Sequence, residues 1–303
     1  MRDKIIFYGL RGLASTPLIA RQWLGALVGW LLYLIPNEQR RIARINIALC
    51  LPEFSARERR SLLRRSLVEN ARILLEMPSM WIGDPRRWLG RIEPGEGGEL
   101  VARALAKGGG LIAAGPHLGS WELALHHLCT LAPVTALYRP PRNHSLDGLI
   151  REGRSRMGAR LAPAAPQGVK RILAGLKGGG MFALLCDQEP KAAGGQGGVF
   201  APFFGQPADS MVLLCRLARN TGAPVLFWYL ERLPGGRRYR MHWLPAPEGI
   251  DDPDIERAVT AMNRGLEACI RRCPEQYNWS YKRFYTQPEG RGTPYHPGRG
   301  GSA

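Results

Sequence analysis

Several motifs that would identify an enzyme class are missing from this 303-residue chain. It contains no Gly-x-Ser-x-Gly element, so it lacks the nucleophile elbow of serine hydrolases. It also contains no Cys-x-x-Cys pair, no P-loop and no Gly-x-Gly-x-x-Gly fingerprint, which argues against metal and nucleotide sites. We therefore expect neither a metal nor a cofactor.

Acidic residues are scarce relative to basic ones. The 25 Asp and Glu residues face 42 Lys and Arg residues, which gives a formal net charge of +17. A charge of this size predicts an anionic partner, which would be nucleic acid, a phospholipid surface or an acidic carrier. The basic residues are spread along the chain, so a solvated arginine-rich surface is the alternative.

The six cysteines stand in apolar or helical contexts with no spacing typical of a metal site. Free buried thiols are the simplest interpretation, and they favour a reducing compartment such as the cytoplasm. The residues concerned are Cys50, Cys129, Cys186, Cys215, Cys269 and Cys273.

No long uninterrupted hydrophobic run is present. The apolar stretch 13–35 is broken by Arg21 and Gln22, and residues 24–35 alone are too short to cross a bilayer. Residues 1–36 are therefore predicted to be a hydrophobic membrane anchor. The anchor is either a marginal spanning helix or an amphipathic helix lying in the membrane interface.

The rest of the chain alternates helical and strand-like patterns, which predicts an α/β fold. We expect a mixed, largely parallel central sheet flanked by helices on both faces. Residues 37–286 form this domain, and residues 287–303 are predicted to be a disordered tail. Helices are predicted at about 38–50, 55–77, 100–106, 121–131, 145–157, 168–176, 209–220 and 253–272. Strands are predicted at 111–114, 134–138, 181–186, 225–230 and 239–244.

The segment Gly115-Pro-His-Leu-Gly-Ser-Trp-Glu122 follows an apolar strand and leads into a helix. His117 and Glu122 would point about 140° apart on one regular helix, so they meet only if His117 lies in the turn before it. A carboxylate on one imidazole nitrogen leaves the other free to accept a proton. Without a protein nucleophile, His117 is predicted to be a base for a substrate hydroxyl. A structural histidine beside a surface glutamate is the alternative.

Further polar residues follow other predicted strands. Arg154 and Arg156 lie on the helix after strand 134–138, and either one could bind a phosphate or stabilise an oxyanion. Asp187 and Gln188 end strand 181–186, at the sheet edge where His117 is expected. The glycines at 194–198 predict a mobile loop. Residues 274–284 interleave aromatics with cations, which fits a headgroup-facing surface, single-stranded nucleic acid or packing on the sheet.

These blocks resemble the late acyltransferases of lipid A biosynthesis, of the lauroyl and myristoyl type, within the lysophospholipid acyltransferase superfamily. The resemblance extends from the N-terminal anchor to about Arg283. One departure is Pro116, where many members carry Asn. The blocks that carry the resemblance, in order, are His117-x4-Glu122, Tyr138-Arg-Pro140, Gly153-Arg-Ser-Arg156, Asp187-Gln188, Pro202-Phe-Phe-Gly205 and Pro274 to Phe284.

The resemblance implies transfer of a fatty acyl chain from acyl carrier protein to a hydroxyl of a lipid A precursor. The reaction would occur at the cytoplasmic face of the inner membrane, with no acyl-enzyme. His117 would be the general base and Glu122 its orienting partner. Arg154, or alternatively Arg156, would bind phosphate or the oxyanion, and Asp187 and Gln188 would support the site.

Two other functions are weighed against this one. The same chemistry could acylate another glycolipid, of the phosphatidylinositol mannoside type. The chain could instead be a non-catalytic, basic protein that binds membranes or nucleic acid. Replacing His117 with Ala separates the classes, because only an enzyme would lose its function. For the acyltransferase no nucleic-acid partner is expected.

Overall fold

In the computed structural model, residues 2–141, 143–190 and 197–296 are described, with side chains from Phe7 onward. The helices are α1 (Arg2–Ser15), α2 (Leu18–Leu34), α3 (Glu38–Cys50), α4 (Ala56–Ile82), α5 (Arg86–Leu89), α6 (Gly98–Ala106), α7 (Trp121–Leu131), α8 (Asp147–Ser155), α9 (Pro166–Lys177), α10 (Leu213–Thr221) and α11 (Ile255–Arg272). The strands are β1 (Ile92–Pro94), β2 (Leu111–Gly115), β3 (Val134–Tyr138), β4 (Arg160–Pro163), β5 (Met181–Leu185), β6 (Gly198–Phe203), β7 (Gln206–Met211), β8 (Val225–Arg232) and β9 (Tyr239–Pro245).

Seven strands form the central sheet in the order β1-β9-β8-β2-β5-β3-β4. All neighbouring pairs are parallel except β8 and β9, which form an antiparallel hairpin. The predicted α/β fold with a largely parallel sheet is therefore confirmed. Strands β2 and β5 lie side by side in the interior of the sheet.

Alternate residues of each strand point to opposite faces, and each face carries its own core. On β2, Ile112 and Ala114 belong to one buried cluster, together with residues of α9, α10 and α11. Leu111 and Ala113 belong to the other, together with residues of α6 and α7. Helices thus cover both faces, and the interior strands β2 and β5 are apolar along their full length because neither face meets water there.

The N-terminal segment forms two helices rather than one. No single helix in the described ranges is long and apolar enough to cross a bilayer. Only α1 from Phe7 and α2 taken together are long and apolar enough, and the two helices are bent by 118° relative to each other. One face of α2 packs on α4, where a Cβ on Gly29 would lie 2.3 Å from Val68 Cα. The opposite face exposes Trp23, Leu24, Leu27, Trp30, Leu31 and Leu34.

Several boundaries differ from those predicted. Helix α4 continues through Pro78 to Ile82, five residues past the predicted end. The helix predicted at 209–220 begins only at Leu213, because residues up to 211 pair as β7 with β6 in a hairpin. Strands β1 and β4 were not predicted. Both are short edge strands with few buried residues, so their pattern is weak.

The described part of the predicted tail, residues 287–296, contacts the domain through Tyr295. Tyr295 is fully buried, and its hydroxyl donates to Asn46 Oδ1 at 2.6 Å. The backbone N–H of Phe284 in turn donates to the Tyr295 hydroxyl at 3.1 Å. Residues 297–303, and residues 194–196 of the predicted mobile loop, lie outside the described ranges.

Candidate active site

His117 lies in the turn between β2 and α7, outside the helix, as the sequence predicted. The turn is held at both sides, since Asn278 N–H donates to His117 O at 3.1 Å and Ser120 N–H donates to Leu230 O at 2.9 Å. Gly119 has a φ of +62°, and a Cβ there would lie 1.9 Å from Leu230 O. Only glycine fits this left-handed, close-packed position.

The side chain of Asp187 is the partner of the His117 imidazole. One carboxylate oxygen lies 2.6 Å from His117 Nδ1, and the other accepts the His117 backbone N–H at 3.0 Å. The register of the sheet explains the contact: Gly115 of β2 pairs with Leu185 of β5, and each polar residue follows two positions later. Parallel strands deliver both residues to the same edge.

Glu122 does not make the contact predicted for it. Its carboxylate forms a bidentate ion pair with Arg154, whose Nε and Nη2 donate to the two oxygens at 3.0 and 2.5 Å. The orienting contact expected from Glu122 is made by Asp187, because Glu122 in the first turn of α7 faces α8 rather than the turn. The Arg154 guanidinium is therefore already paired with a carboxylate.

The other two predicted site residues lie in different surroundings. The Gln188 side-chain nitrogen is 3.4 Å from His117 Nε2, beside the nitrogen that Asp187 leaves free. Arg156 points away from His117, and its Nη1 donates to the carbonyls of Ile82 and Gly83 at 2.6 and 2.8 Å. The structure thus brings His117, Asp187 and Gln188 together and leaves Arg156 outside.

Both carboxylates of the site are buried and paired with a basic group. Burial alone would raise the pKa of Asp187, but the neighbouring His117 ring and its hydrogen bonds hold that pKa below its ordinary value. Burial would likewise raise the pKa of Glu122, and the Arg154 guanidinium lowers it. Both groups are therefore carboxylates at neutral pH. An ionised Asp187 favours a proton on His117 Nδ1, which leaves Nε2 as the basic nitrogen.

A largely apolar cavity, small and open to solvent, adjoins the Glu122–Arg154 pair. Residues of α7 and of β3, β5 and β8 form its walls, so it lies between helix and sheet next to the turn of His117. The Trp121 ring meets the His117 ring edge-on at 5.3 Å and lines this cavity. The lining residues are Trp121, Glu122, Leu125, Ala136, Leu137, Arg154, Ala183, Leu184, Leu185 and Trp228.

The sequence model of the bacterial lipid A biosynthesis acyltransferases matches residues 3–286, nearly the whole chain. The chain belongs to this family. As a member it is an acyltransferase, and the resemblance seen in the sequence is confirmed. The family match spans both the site and the N-terminal helices.

Named relatives from Escherichia coli K12 agree with this assignment. Its lipid A biosynthesis lauroyltransferase is 30% identical over 275 residues, which cover 90% of this chain and 87% of that protein. Its palmitoleoyltransferase is 29% identical over 280 residues, with the same coverage. Its myristoyltransferase is 24% identical over 291 residues, covering 94% and 87%. The three names differ in the acyl group and agree in the pathway.

Two features of the site were not visible in the sequence pattern. Asp187 was predicted only as a supporting residue, because its contact with His117 depends on β2 and β5 being neighbours. Tyr277 is buried, and burial together with nearby Asp187 raises the pKa of its hydroxyl. The bridge between Leu118 and Tyr277 brings the C-terminal segment to the site. No local pattern predicts a pairing across about 160 residues of sequence.

Proposed function

We propose that this chain transfers a fatty acyl group from acyl carrier protein to a hydroxyl of a lipid A precursor. The reaction takes place at the cytoplasmic face of the inner membrane. The observation that carries the proposal is the His117–Asp187 contact at 2.6 Å, beside a largely apolar pocket that is open to solvent. The net charge of +17 fits both an acidic carrier protein and a phosphorylated lipid.

His117 is the general base in this mechanism. Asp187 holds the proton on Nδ1, so Nε2 takes the proton of the acceptor hydroxyl as its oxygen attacks the thioester carbonyl. The tetrahedral intermediate collapses when the C–S bond breaks, and the imidazolium returns its proton to the departing thiolate. Asp187 stabilises the imidazolium between these steps. The Gln188 amide, next to Nε2, is placed to orient the hydroxyl.

Glu122 and Arg154 line the apolar cavity beside Trp121. Their ion pair fixes α8 against α7, so the cavity beside Trp121 keeps its shape. In this proposal they are positioning residues. Arg156 acts elsewhere, since its donors face the end of α4.

The anchor proposal concerns α1 and α2. The exposed apolar face of α2 would lie in the membrane interface with Trp23 and Trp30 at headgroup depth. We favour this mode over spanning because Gly25 and Gly29 fix the opposite face of α2 on α4, which carries many charges. Acceptor and enzyme would then meet at the same surface.

The test is acyl transfer by purified protein in detergent, with acyl carrier protein as donor and a lipid A precursor as acceptor. His117→Ala should lower kcat by about 10²–10⁴-fold, the range for a lost general base. Asp187→Asn should cost a similar factor because it favours the wrong tautomer. His127→Ala, on the same α7 helix but lining a different pocket, is the matched control and should keep full activity.

Retained transfer in the His117→Ala variant would exclude this mechanism. Mass spectrometry of lipid A from a strain without the protein gives the matching result in cells, the loss of one acyl chain. Unchanged lipid A in that strain would exclude a lipid A precursor as the acceptor.

A further inference from the structure

A basic cleft lies on the other side of α8 from the Glu122–Arg154 pair. It has a volume of about 1400 Å³ including its open mouth, and α1, the start of α2, the end of α4, α5 and α8 form its walls. Five arginines line it against only two carboxylates, Asp84 and Glu152. The arginines are Arg11, Arg21, Arg87, Arg91 and Arg156.

Both carboxylates of the cleft already have arginine partners. Glu152 accepts from Arg156 at 3.0 Å, and Asp84 lies 3.8 Å from Arg86. Within the described ranges, Arg11 and Arg87 form no ion pair of their own. The cleft therefore carries an excess of positive charge that the protein does not neutralise.

Arg21 is the residue that makes this cleft a binding site. It is 3% exposed, and its Nε and Nη1 atoms have no hydrogen-bond acceptor among the described residues. The guanidinium stacks on Trp88, 5.3 Å from the ring centroid. The carboxylate of Glu76 is already taken, since Arg232 donates to both of its oxygens at 2.9 and 2.8 Å. A buried cation with unpaired donors is costly unless a ligand completes it.

A second unpaired donor lines the same cleft. Ser79 is 2% exposed, and its hydroxyl also has no partner in the part of the chain that the structure describes. A guanidinium and a hydroxyl are the groups that bind a tetrahedral oxyanion, and arginine matches phosphate with two parallel hydrogen bonds. The donors and the excess charge point to the same ligand.

We propose that this cleft binds the phosphate group of a membrane lipid, with Arg21 and Ser79 as its inner ligands. Phe7 and Leu18 line the cleft, and the exposed apolar surface of α1 and α2 continues from it, so the phosphate is carried by an amphiphile. If the proposed function holds, that lipid is the acceptor. Helix α8 joins the cleft to the apolar cavity beside Trp121, because Leu149 and Glu152 line the cleft and Arg154 lines the cavity.

The first experiment measures binding by calorimetry with the full chain in detergent and no acyl donor. The probes are dioctanoyl phosphatidic acid, dioctanoylglycerol and inorganic phosphate. We expect the phosphatidic acid to bind, inorganic phosphate to bind at least tenfold more weakly, and dioctanoylglycerol not to bind. Equal affinity for inorganic phosphate would show that the ligand need not be a lipid, which would overturn the proposal. Binding of dioctanoylglycerol would show that the phosphate group is not what the cleft recognises, which would overturn it as well.

The variants test the inner ligands. Arg21→Gln should weaken phosphatidic acid binding at least tenfold, and Ser79→Ala should weaken it severalfold. Arg64→Gln is the charge control, since Arg64 lies on the same helix as Ser79 but fifteen residues away and stacks on Trp30. Unchanged affinity in Arg21→Gln, or an equal loss in Arg64→Gln, would overturn the proposal.

Two further measurements separate binding from folding and from catalysis. Arg21→Met should keep or raise the thermal midpoint, because it removes unpaired buried donors; a lower midpoint together with unchanged affinity would mean a purely structural arginine. In the transfer assay, Arg21→Gln should raise KM for a phosphorylated acceptor at least tenfold with little change in kcat. Binding of phosphatidic acid without any acyl transfer would refute the proposed function but would still support this binding site.

Discussion

At the scale of single residues, the two acidic groups of the site differ in their partners. Asp187 faces an imidazole that can gain and lose a proton, whereas Glu122 faces a guanidinium that remains charged at any working pH. The first pair can therefore take part in proton transfer, and the second can only hold its neighbours in place. The role of each carboxylate follows from its partner rather than from its distance along the sequence to His117.

The Glu122–Arg154 pair leads to a stability prediction. Arg154→Ala should lower the free energy of unfolding by about 3–5 kcal/mol, because it leaves the Glu122 carboxylate buried without a partner. The double variant Glu122→Gln with Arg154→Met should recover part of this loss, since no uncompensated charge remains. Urea unfolding followed by circular dichroism measures both.

Arg151→Ala is the control for that experiment. Arg151 is on the same helix, its side chain is 63% exposed, and its contact with Asp147 is 3.9 Å long. Its loss should change the free energy of unfolding by less than about 0.5 kcal/mol. Equal effects of the Arg151 and Arg154 substitutions would contradict a buried structural pair.

The sequence predicted His117 in a turn at a strand end, and it predicted Asp187 at the same edge. Both predictions rest on a local pattern, an apolar strand followed by a polar residue. The contact of Glu122 with Arg154, in place of the expected contact with His117, has a physical cause. Nearness along the chain favours a His117–Glu122 contact, but the neighbouring strand β5 and helix α8 supply better-placed partners for each residue.

At the scale of elements, the contact between α2 and α4 determines how the N-terminal segment is attached. Gly25 and Gly29 are one helical turn apart and let the two backbones approach closely. Gln22, about one turn before Gly25 on α2, donates a hydrogen bond to Glu76, which also binds Arg232 of β8. A helix with this buried polar face is part of the folded domain rather than an independent tether.

Gly29→Ala should therefore destabilise the protein. The added Cβ would lie 2.3 Å from Val68 Cα and 2.8 Å from Leu67 O, both backbone atoms, so the helices must separate. Overpacking of this kind costs about 1–3 kcal/mol. Thermal unfolding of the full chain measures the change.

Gly12→Ala is the matched comparison for the Gly29 substitution. Gly12 also lies in an N-terminal helix, but nothing is within 4 Å of its added Cβ. Alanine there should leave the thermal midpoint unchanged or raise it, since alanine favours helix by about 1 kcal/mol over glycine. A midpoint that is insensitive to Gly29→Ala would mean that α2 is not packed on α4 in solution.

The elements with strong periodicity were predicted almost to the residue, and the weak ones were missed. Helix α7 and strand β3 begin and end where the pattern placed them, because each has a long apolar face and a clear turn on both sides. The hairpin of β6 and β7 was not predicted, and the last residues of β7 were assigned to the helix at 209–220. Its strands carry prolines, glycine and polar residues, and its pairing is supplied by the partner strand.

At the scale of the whole molecule, the proposed anchoring has charge and apolar surface acting on the same partner. The net charge of +17 would draw the protein to an anionic bilayer over a range of about one Debye length. The exposed side chains of α2 would then add short-range apolar burial, at about 25 cal/mol per Å². These contributions differ in their response to salt, which allows them to be measured separately.

The last prediction concerns vesicle binding. Trp23 and Leu27 are 72% and 57% exposed on the apolar face of α2, and replacing both with Ser should weaken binding to phosphatidylglycerol vesicles more than about tenfold. Leu131 and Leu173, which are 40% and 38% exposed on other helices, are the controls; their replacement with Ser should have little effect. Co-sedimentation with vesicles measures each variant with wild type alongside.

The salt dependence of vesicle binding separates the electrostatic contribution from the apolar one. Raising the ionic strength should weaken wild-type binding only in part, because burial of the α2 face does not depend on charge. The Trp23 and Leu27 double variant relies on charge alone, so high salt should release it from the vesicles. Full release of the wild-type protein by salt, or unaltered binding of the double variant, would mean that the apolar face of α2 does not contact the membrane.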